Sequence, residues 1–134
     1  MPKVVMLLFL LAGSFLAACN AGQPRLTVET TTINLGDVVN GEIITRDVTV
    51  QNTGEAELVI EAISTSCGCT QATLEPMIIP PGGNGTLHIA FDSGAHGPEL
   101  TGALIRQVFI NTNDPRQPET VIEVAAHILP PVTP

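Results

Sequence analysis

Apolar side chains recur with a period of two through most of this chain, and no stretch of ten or more residues after Ala18 has helical spacing with good helix formers. Ile44, Val48 and Val50 share one row with Arg46, while Thr45, Asp47 and Thr49 fill the other. The same alternation returns at Leu58, Ile60 and Ala62, at Leu87, Ile89 and Phe91, and at Ile122, Val124, Ala126 and Ile128. Successive side chains of a strand point to opposite faces, so each segment reads as a strand with one buried face. Val, Ile and Thr supply 37 of the 116 residues after Ala18, and these types pack well on a pleated surface.

Turn signals separate the strands. Leu26 to Thr30 opens the pattern, and a short piece through Ile33 and Leu35 ends at Gly36-Asp37. Asn52-Thr53-Gly54 connects the third segment to Leu58–Ile63. So short a connection suits a hairpin, with a Greek-key crossover between two sheets as the alternative. Ser64 to Thr70 interrupts the alternation, and Ala72 to Leu74 reads as a short edge piece. Pro76, Pro80 and Pro81, followed by Gly82, Gly83 and Gly85, form a rigid connection, since proline offers no N–H to a ladder. Gly102 to Thr112 has apolar residues on both faces, which fits a central strand or one that bends and changes partners near Arg106. Asn113-Asp114-Pro115 and Pro118 turn it. Strands without crossover helices predict an all-β sandwich of about seven strands, with a barrel as runner-up. Its predicted core is Ile44, Val48, Val50, Leu58, Ile60, Leu87, Ile89, Phe91, Leu104, Val108, Ile122 and Val124.

The N-terminus has a different grammar. Met1-Pro2-Lys3 precedes fifteen uncharged, mostly apolar residues, Val4 to Ala18. The run is short for a hydrocarbon layer of about 30 Å, but has the basic start and apolar stretch of a secretory signal. It closes with Leu16-Ala17-Ala18-Cys19, which resembles a bacterial lipobox whose cysteine receives diacylglyceryl and N-acyl chains. Several acyl chains anchor stably where one binds only marginally. The expected organisation is a lipoprotein signal peptide at 1–18, a lipidated Cys19 and tether at 19–25, an immunoglobulin-like sandwich at 26–129 and a tail at 130–134. The domain is then exported and lipid-anchored to a bacterial cell membrane or outer membrane, in the periplasm or outside the cell. Six residues, Asn20 to Arg25, span about 20 Å when extended, which holds it close to the lipid.

After Ala18 the chain carries 13 acidic residues against 4 arginines and no lysine. That balance argues against nucleic acid, whose binding rests on Lys and Arg neutralising phosphates. It also removes lysine as a nucleophile. Phe91 and Phe109 are the only aromatics there, so stacking platforms for bases or sugars are scarce.

Chemistry concentrates in Ser66-Cys67-Gly68-Cys69-Thr70. Gly68 lets the backbone turn so that two thiols can face each other at the Cα separation of roughly 4.4 to 6.8 Å that a disulfide needs. So small a loop removes little unfolded-state entropy, which makes the bond a weak staple, and geometric strain in so tight a ring makes it easier to reduce. Three readings stand side by side: a local structural disulfide or simple turn, a redox-exchanging pair, and a thiolate pair that captures Cu(I) with Met77 or a histidine. Zinc would need two further ligands. His88 and His127 fall on outward strand faces and His96 in a Gly-Pro-rich loop, positions where a histidine is ordinarily a solvated side chain.

Other candidates carry less. Glu57 and Glu61 lie on a wet strand face and Glu55 in a turn; no histidine is placed beside Ser64 or Ser66 as a base. Gly82-Gly83-Asn84-Gly85 lacks the lysine and helix of a phosphate loop. Asp92 and Asp114 are loop carboxylates of the kind that can bind calcium, but Asp114, with only Asn113 and Asn111 nearby, reads as an Asx turn before Pro115. The chain is expected to be non-enzymatic, with no cofactor and no small-molecule substrate evident.

Leu35-Gly36-Asp37-Val38, Gly41, Asn52-Thr53-Gly54, Leu58, Cys67-Gly68-Cys69-Thr70, Pro80-Pro81-Gly82, Phe91 and Thr112-Asn113-Asp114-Pro115, in this order, resemble the bacterial family called domain of unknown function 1573 over roughly residues 28 to 128. The resemblance implies an immunoglobulin-like fold similar to the Hydin and major sperm protein group, whose domains are non-enzymatic modules of assemblies. It gives Cys67 and Cys69 the status of a signature pair, and Asn52, Gly54, Asn113 and Asp114 that of turn formers. The expected function is a lipid-anchored interaction or structural module of the cell envelope. Its partners are the membrane and another envelope protein, which extends an edge strand near Ala72–Leu74 or the N-terminus. The alternative is a copper(I)-binding or thiol-redox accessory protein using Cys67 and Cys69, with Met77, His88 or another soft donor close by.

Overall fold

A computed structural model describes residues 22–133, so the expected signal peptide at 1–18 and Cys19 lie outside the described residues. Among the described residues there are nine strands: β1 (Leu26–Val28), β2 (Thr32–Val39), β3 (Ile43–Asn52), β4 (Leu58–Thr65), β5 (Thr70–Glu75), β6 (Ile78–Ile79), β7 (Asn84–Asp92), β8 (Gly102–Thr112) and β9 (Glu119–Leu129). They form a four-stranded sheet in the order β1-β3-β7-β5 and a five-stranded sheet in the order β2-β9-β8-β4-β6. The all-β architecture of two sheets is thus as expected, with more strands than about seven. β6 accounts for part of the excess: two residues bracketed by Pro76 and Pro80 are too few to show an alternation. No helix among the described residues is long and apolar enough to cross a membrane.

The inward rows of the two sheets make one aliphatic core. Val48, Val50, Leu87 and Ile89 from one sheet meet Leu58, Ile60, Val108, Ile110, Ile122 and Val124 from the other. A second cluster, Val38, Cys69, Phe91, Ala126 and Ile128, fills one end of the sandwich. Ten of the twelve predicted core residues are buried; Ile44 and Leu104 are half-buried because they lie at the margin of this end cluster.

The hairpin expected between β3 and β4 is replaced by a crossover. β3 pairs with β1 and β7, whereas β4 pairs with β6 and β8 in the other sheet. The fully buried Asn52 shows why. Its Oδ1 accepts from the N–H groups of Arg25 (3.2 Å) and Gly54 (3.0 Å), and its Nδ2 donates to the carbonyls of Ala56 (2.7 Å) and Ile79 (2.9 Å). Two acceptor and two donor positions are all used. The chain leaving β3 is therefore tied to β6 in the opposite sheet instead of folding back along β3.

The other turn residues act in the same manner. Asn113 Oδ1 accepts from Val59 N–H at 2.8 Å, and its Nδ2 donates to the Glu57 carbonyl at 3.1 Å. The buried Asp114 accepts from Arg116 N–H at 2.9 Å, the expected Asx turn, and also from Leu26 N–H of β1 at 3.0 Å.

β8 runs unbroken against β9 from Gly102↔Ile128 to Asn111↔Glu119, so the chain does not break register at Arg106. What changes there is the neighbour on its other side, because β4 pairing ends at Thr65↔Val108. Ser66 then takes over: its N–H donates to the Gln107 carbonyl, and its Oγ accepts from Gln107 N–H, both at 2.9 Å. This join delivers the cysteine turn to the end of the sandwich.

Candidate functional site

Between β4 and β5 the chain makes a tight reversal. Thr70 N–H donates to the Cys67 carbonyl at 3.2 Å, and Thr65 Oγ1 lies 3.0 Å from that carbonyl and 2.9 Å from that of Thr70. Cys67 and Cys69 are joined in a disulfide with their Cα atoms 5.2 Å apart. The sulfurs differ in access, since Cys67 is half-buried while Cys69 is only 2% exposed and belongs to the end cluster. Gly68 is not needed for a left-handed backbone, and a Cβ there would meet open space.

Two side chains from distant parts of the chain flank the sulfurs. His96 Nε2 lies 3.1 Å from Cys67 Sγ. Its loop is held down by Asn40, whose Nδ2 donates to the carbonyls of Gly97 (2.9 Å) and Leu100 (3.0 Å). At the loop's start, the buried Ser93 hydroxyl bonds the 39–42 turn, accepting from the N–H groups of Gly41 (3.0 Å) and Glu42 (2.9 Å). On the other side, Arg106 Nε donates to Cys69 Sγ at 3.3 Å, and its Nη1 donates to the Ile105 carbonyl at 2.9 Å.

Arg106 occupies the row of β8 that faces the core, between Leu104 and Val108. No carboxylate bridges it among the described residues. A neutral disulfide sulfur is a weak acceptor, whereas a thiolate at the same place would be a charge-assisted one.

The donor atoms of Cys67, Cys69 and His96 lie within 4.8 Å of one another. Met77 is not part of this group; it follows the far end of β5, and Cys69 precedes the near end. His88 is engaged elsewhere, on the outer face of its sheet with Asp47 at 2.7 Å, and His127 pairs likewise with Asp37 at 3.0 Å. Of the donors expected to complete a copper set, only a histidine arrives, and it is His96. In the disulfide neither sulfur is a thiolate, so these residues suit a soft metal only after reduction.

Beside the turn lies a hollow of about 130 Å³ lined by Ile43, Gly68, Cys69, Gln71, Ala90 and Asp92. From it runs β5, an edge strand paired only with β7, in unbroken register from Thr70↔Phe91 to Glu75↔Thr86. The bond from Asp92 N–H to the Cys69 carbonyl (2.8 Å) sets the phase of the ladder. Gln71, Thr73 and Glu75 bond β7, and the main-chain groups of Ala72 and Leu74 point away from it. The remaining edges are less open. β1 has three residues and gives its Leu26 N–H to Asp114, β2 carries an irregularity between Asn34 and Asp37, and β6 has two residues.

Comparison with known proteins supports the fold. The chain matches a family described as "Protein of unknown function (DUF1573)" over residues 26–128. It is similar to a protein of unknown function from Porphyromonas gingivalis W83, with 25% identity and a TM-score of 0.73 over 85% of this chain and 51% of that one. The chain thus spans about half of that solved structure. The ASH / PapD-like domain of human CEP192 shares the fold at 10% identity and a TM-score of 0.61, over 82% of this chain and 89% of that one. The periplasmic chaperone SfaE does so at 12% identity and 0.52, over 82% and 61%. No curated protein matches the chain in sequence. The matched span contains the cysteine turn, the proline-glycine connection and Thr112-Asn113-Asp114-Pro115, and the chain belongs to the DUF1573 family of proteins of unknown function.

Proposed function

We propose that the chain is a non-enzymatic interaction module of a bacterial cell envelope, held to a membrane by acyl chains on Cys19, that binds an extended segment of another envelope protein along β5. The observation that carries this reading is the edge itself: six residues in unbroken register, with the main-chain groups of Ala72 and Leu74 turned away from the sheet. An added strand gains affinity from those hydrogen bonds and specificity from alternate side chains. The fold, shared with a periplasmic chaperone and a PapD-like domain, is consistent with such docking. With 13 acidic residues against 4 arginines after the leader, charge favours a segment that carries Lys or Arg. The apolar run before Leu16-Ala17-Ala18-Cys19 supports export and anchoring.

The test is photo-crosslinking in the bacterial envelope from a probe at Thr73, whose side chain is exposed, with and without Ala72→Pro. Proline at 72 removes an outward N–H and leaves the β7 ladder intact. The expected result is one discrete adduct that the proline abolishes. An adduct of equal yield in the proline variant would contradict the reading. Mass spectrometry of the mature N-terminus tests the anchor: a diacylglyceryl, N-acylated Cys19 is expected, and an unmodified Cys19 preceded by residues 1–18 would refute it.

A further inference from the structure

We infer that Cys67 and Cys69 form a thiol–disulfide exchange site, in which Cys67 receives the thiolate of a cysteine-bearing polypeptide, Cys69 leaves as a thiolate against Arg106, and His96 carries the proton. This goes beyond strand docking and does not require β5 to be occupied.

The arrangement is asymmetric in the way exchange requires. Only the Cys67 sulfur belongs to a half-exposed residue; Cys69 is 2% exposed. The buried sulfur is the one with a guanidinium nitrogen at 3.3 Å; the reachable one has an imidazole nitrogen at 3.1 Å and accepts from Cys69 N–H at 3.0 Å. Leaving sulfurs depart faster when their thiolates are stabilised, and a cation is what stabilises them. Closing a loop this small constrains the unfolded chain little, and a fixed cation gains more from a thiolate than from a neutral disulfide.

His96 accepts the proton of the incoming thiol, and the resulting thiolate attacks Cys67 Sγ. The Cys67–Cys69 bond breaks, and its electron pair goes to Cys69 Sγ beside Arg106. A second cysteine of the same partner then attacks the partner's sulfur in the mixed disulfide, losing its own proton to solvent or to Cys69. Cys67 leaves and takes back the proton held by His96. The partner dithiol is oxidised by two electrons to a disulfide, and the Cys67–Cys69 pair is reduced by two. The reverse sequence reduces a partner disulfide. Capture of Cu(I) by the reduced pair is less favoured, because a metal ion on Cys69 would share its sulfur with a fixed positive charge and because Met77 lies past the far end of β5. The hollow with its 65% exposed Ile43 gives an apolar residue of the partner a place beside the turn.

The experiment uses the full chain with glutathione buffers and a peptide dithiol as probes, and mass spectrometry to locate adducts. In Cys69→Ser, oxidised glutathione is expected to trap a mixed disulfide at Cys67 at least about tenfold faster than it traps Cys69 in Cys67→Ser. Arg106→Met should shift the equilibrium about tenfold toward the disulfide, and Arg106→Lys should recover most of that shift. His96→Gln should slow reduction by the dithiol by about tenfold or more. Equal trapping at the two cysteines would overturn the assignment, and that comparison needs no Arg106 variant to fold. So would an equilibrium indifferent to Arg106, or stoichiometric Cu(I) uptake by the reduced chain without measurable exchange.

Discussion

Arg106 Nε donates to Cys69 Sγ at 3.3 Å from a position on β8 whose row neighbours, Leu104 and Val108, pack into the apolar interior. An apolar side chain would ordinarily occupy such a place, because a cation drawn out of water needs acceptors. The acceptors here are a sulfur and a main-chain carbonyl, so the value of the arginine depends on the state of that sulfur.

This dependence gives a prediction with a sign. In the oxidised chain, Arg106→Met should change unfolding free energy by no more than about 1 kcal/mol, since a half-buried cation is exchanged for a packed thioether. In the reduced chain the same variant should cost about 1.5 to 3 kcal/mol, the range for a hydrogen bond to a charged group. Urea unfolding of both forms makes the comparison.

Asn52→Ala is expected to destabilise by about 2 to 4 kcal/mol in urea unfolding. It removes four bonds made by a fully buried side chain and strands buried main-chain donors and acceptors. Asn52→Asp should not rescue it, because the two donors facing the Ala56 and Ile79 carbonyls would be replaced by an acceptor.

The edge strand permits a paired test by proline. Ala72→Pro should leave stability within about 1 kcal/mol, whereas Thr73→Pro, which removes a bond to β7, should cost about 2 to 3 kcal/mol. Thermal and urea unfolding distinguish the two, and equal costs would mean that the phase of the ladder is wrong.

Glycines give another contrast. Gly68→Ala should fall within about 0.5 kcal/mol of the parent, because a Cβ there meets open space. Gly54→Ala should cost about 2 kcal/mol or more, because a Cβ there would run into the backbone of Gln23 and Arg25.

Much of the fold was legible where a strand has one wet face. β7 and β9 alternate cleanly because each packs one row on the opposite sheet, and Leu87, Ile89, Ile122 and Val124 are buried as their period implies. β6 was not legible, since its two residues follow from pairing with Leu58 and Val59, a tertiary event with no local signature. The β3–β4 connection had the length of a hairpin, and long-range bonds with no local signature, among them Asn52 Nδ2 to the Ile79 carbonyl and Asn52 N–H to the Gly83 carbonyl, make it a crossover.

The candidate site divides similarly. The paired cysteines were visible as a motif, but their neighbours were not. His96 is 29 residues from Cys67 and Arg106 is 37 from Cys69, and each is brought in by elements that carry no chemical pattern. Arg106 did leave one local trace: a charge in a row that continues through Val108 and Ile110, which reads equally well as a bend.

The most direct measurement is amide hydrogen exchange along β5 in the free chain. The amides of Gln71, Thr73 and Glu75 are expected to be protected about a hundredfold or more beyond those of Ala72 and Leu74, since the first three bond β7 and the other two face outward. Uniform protection across all five would show that the edge is already covered, and would contradict a strand waiting for another chain.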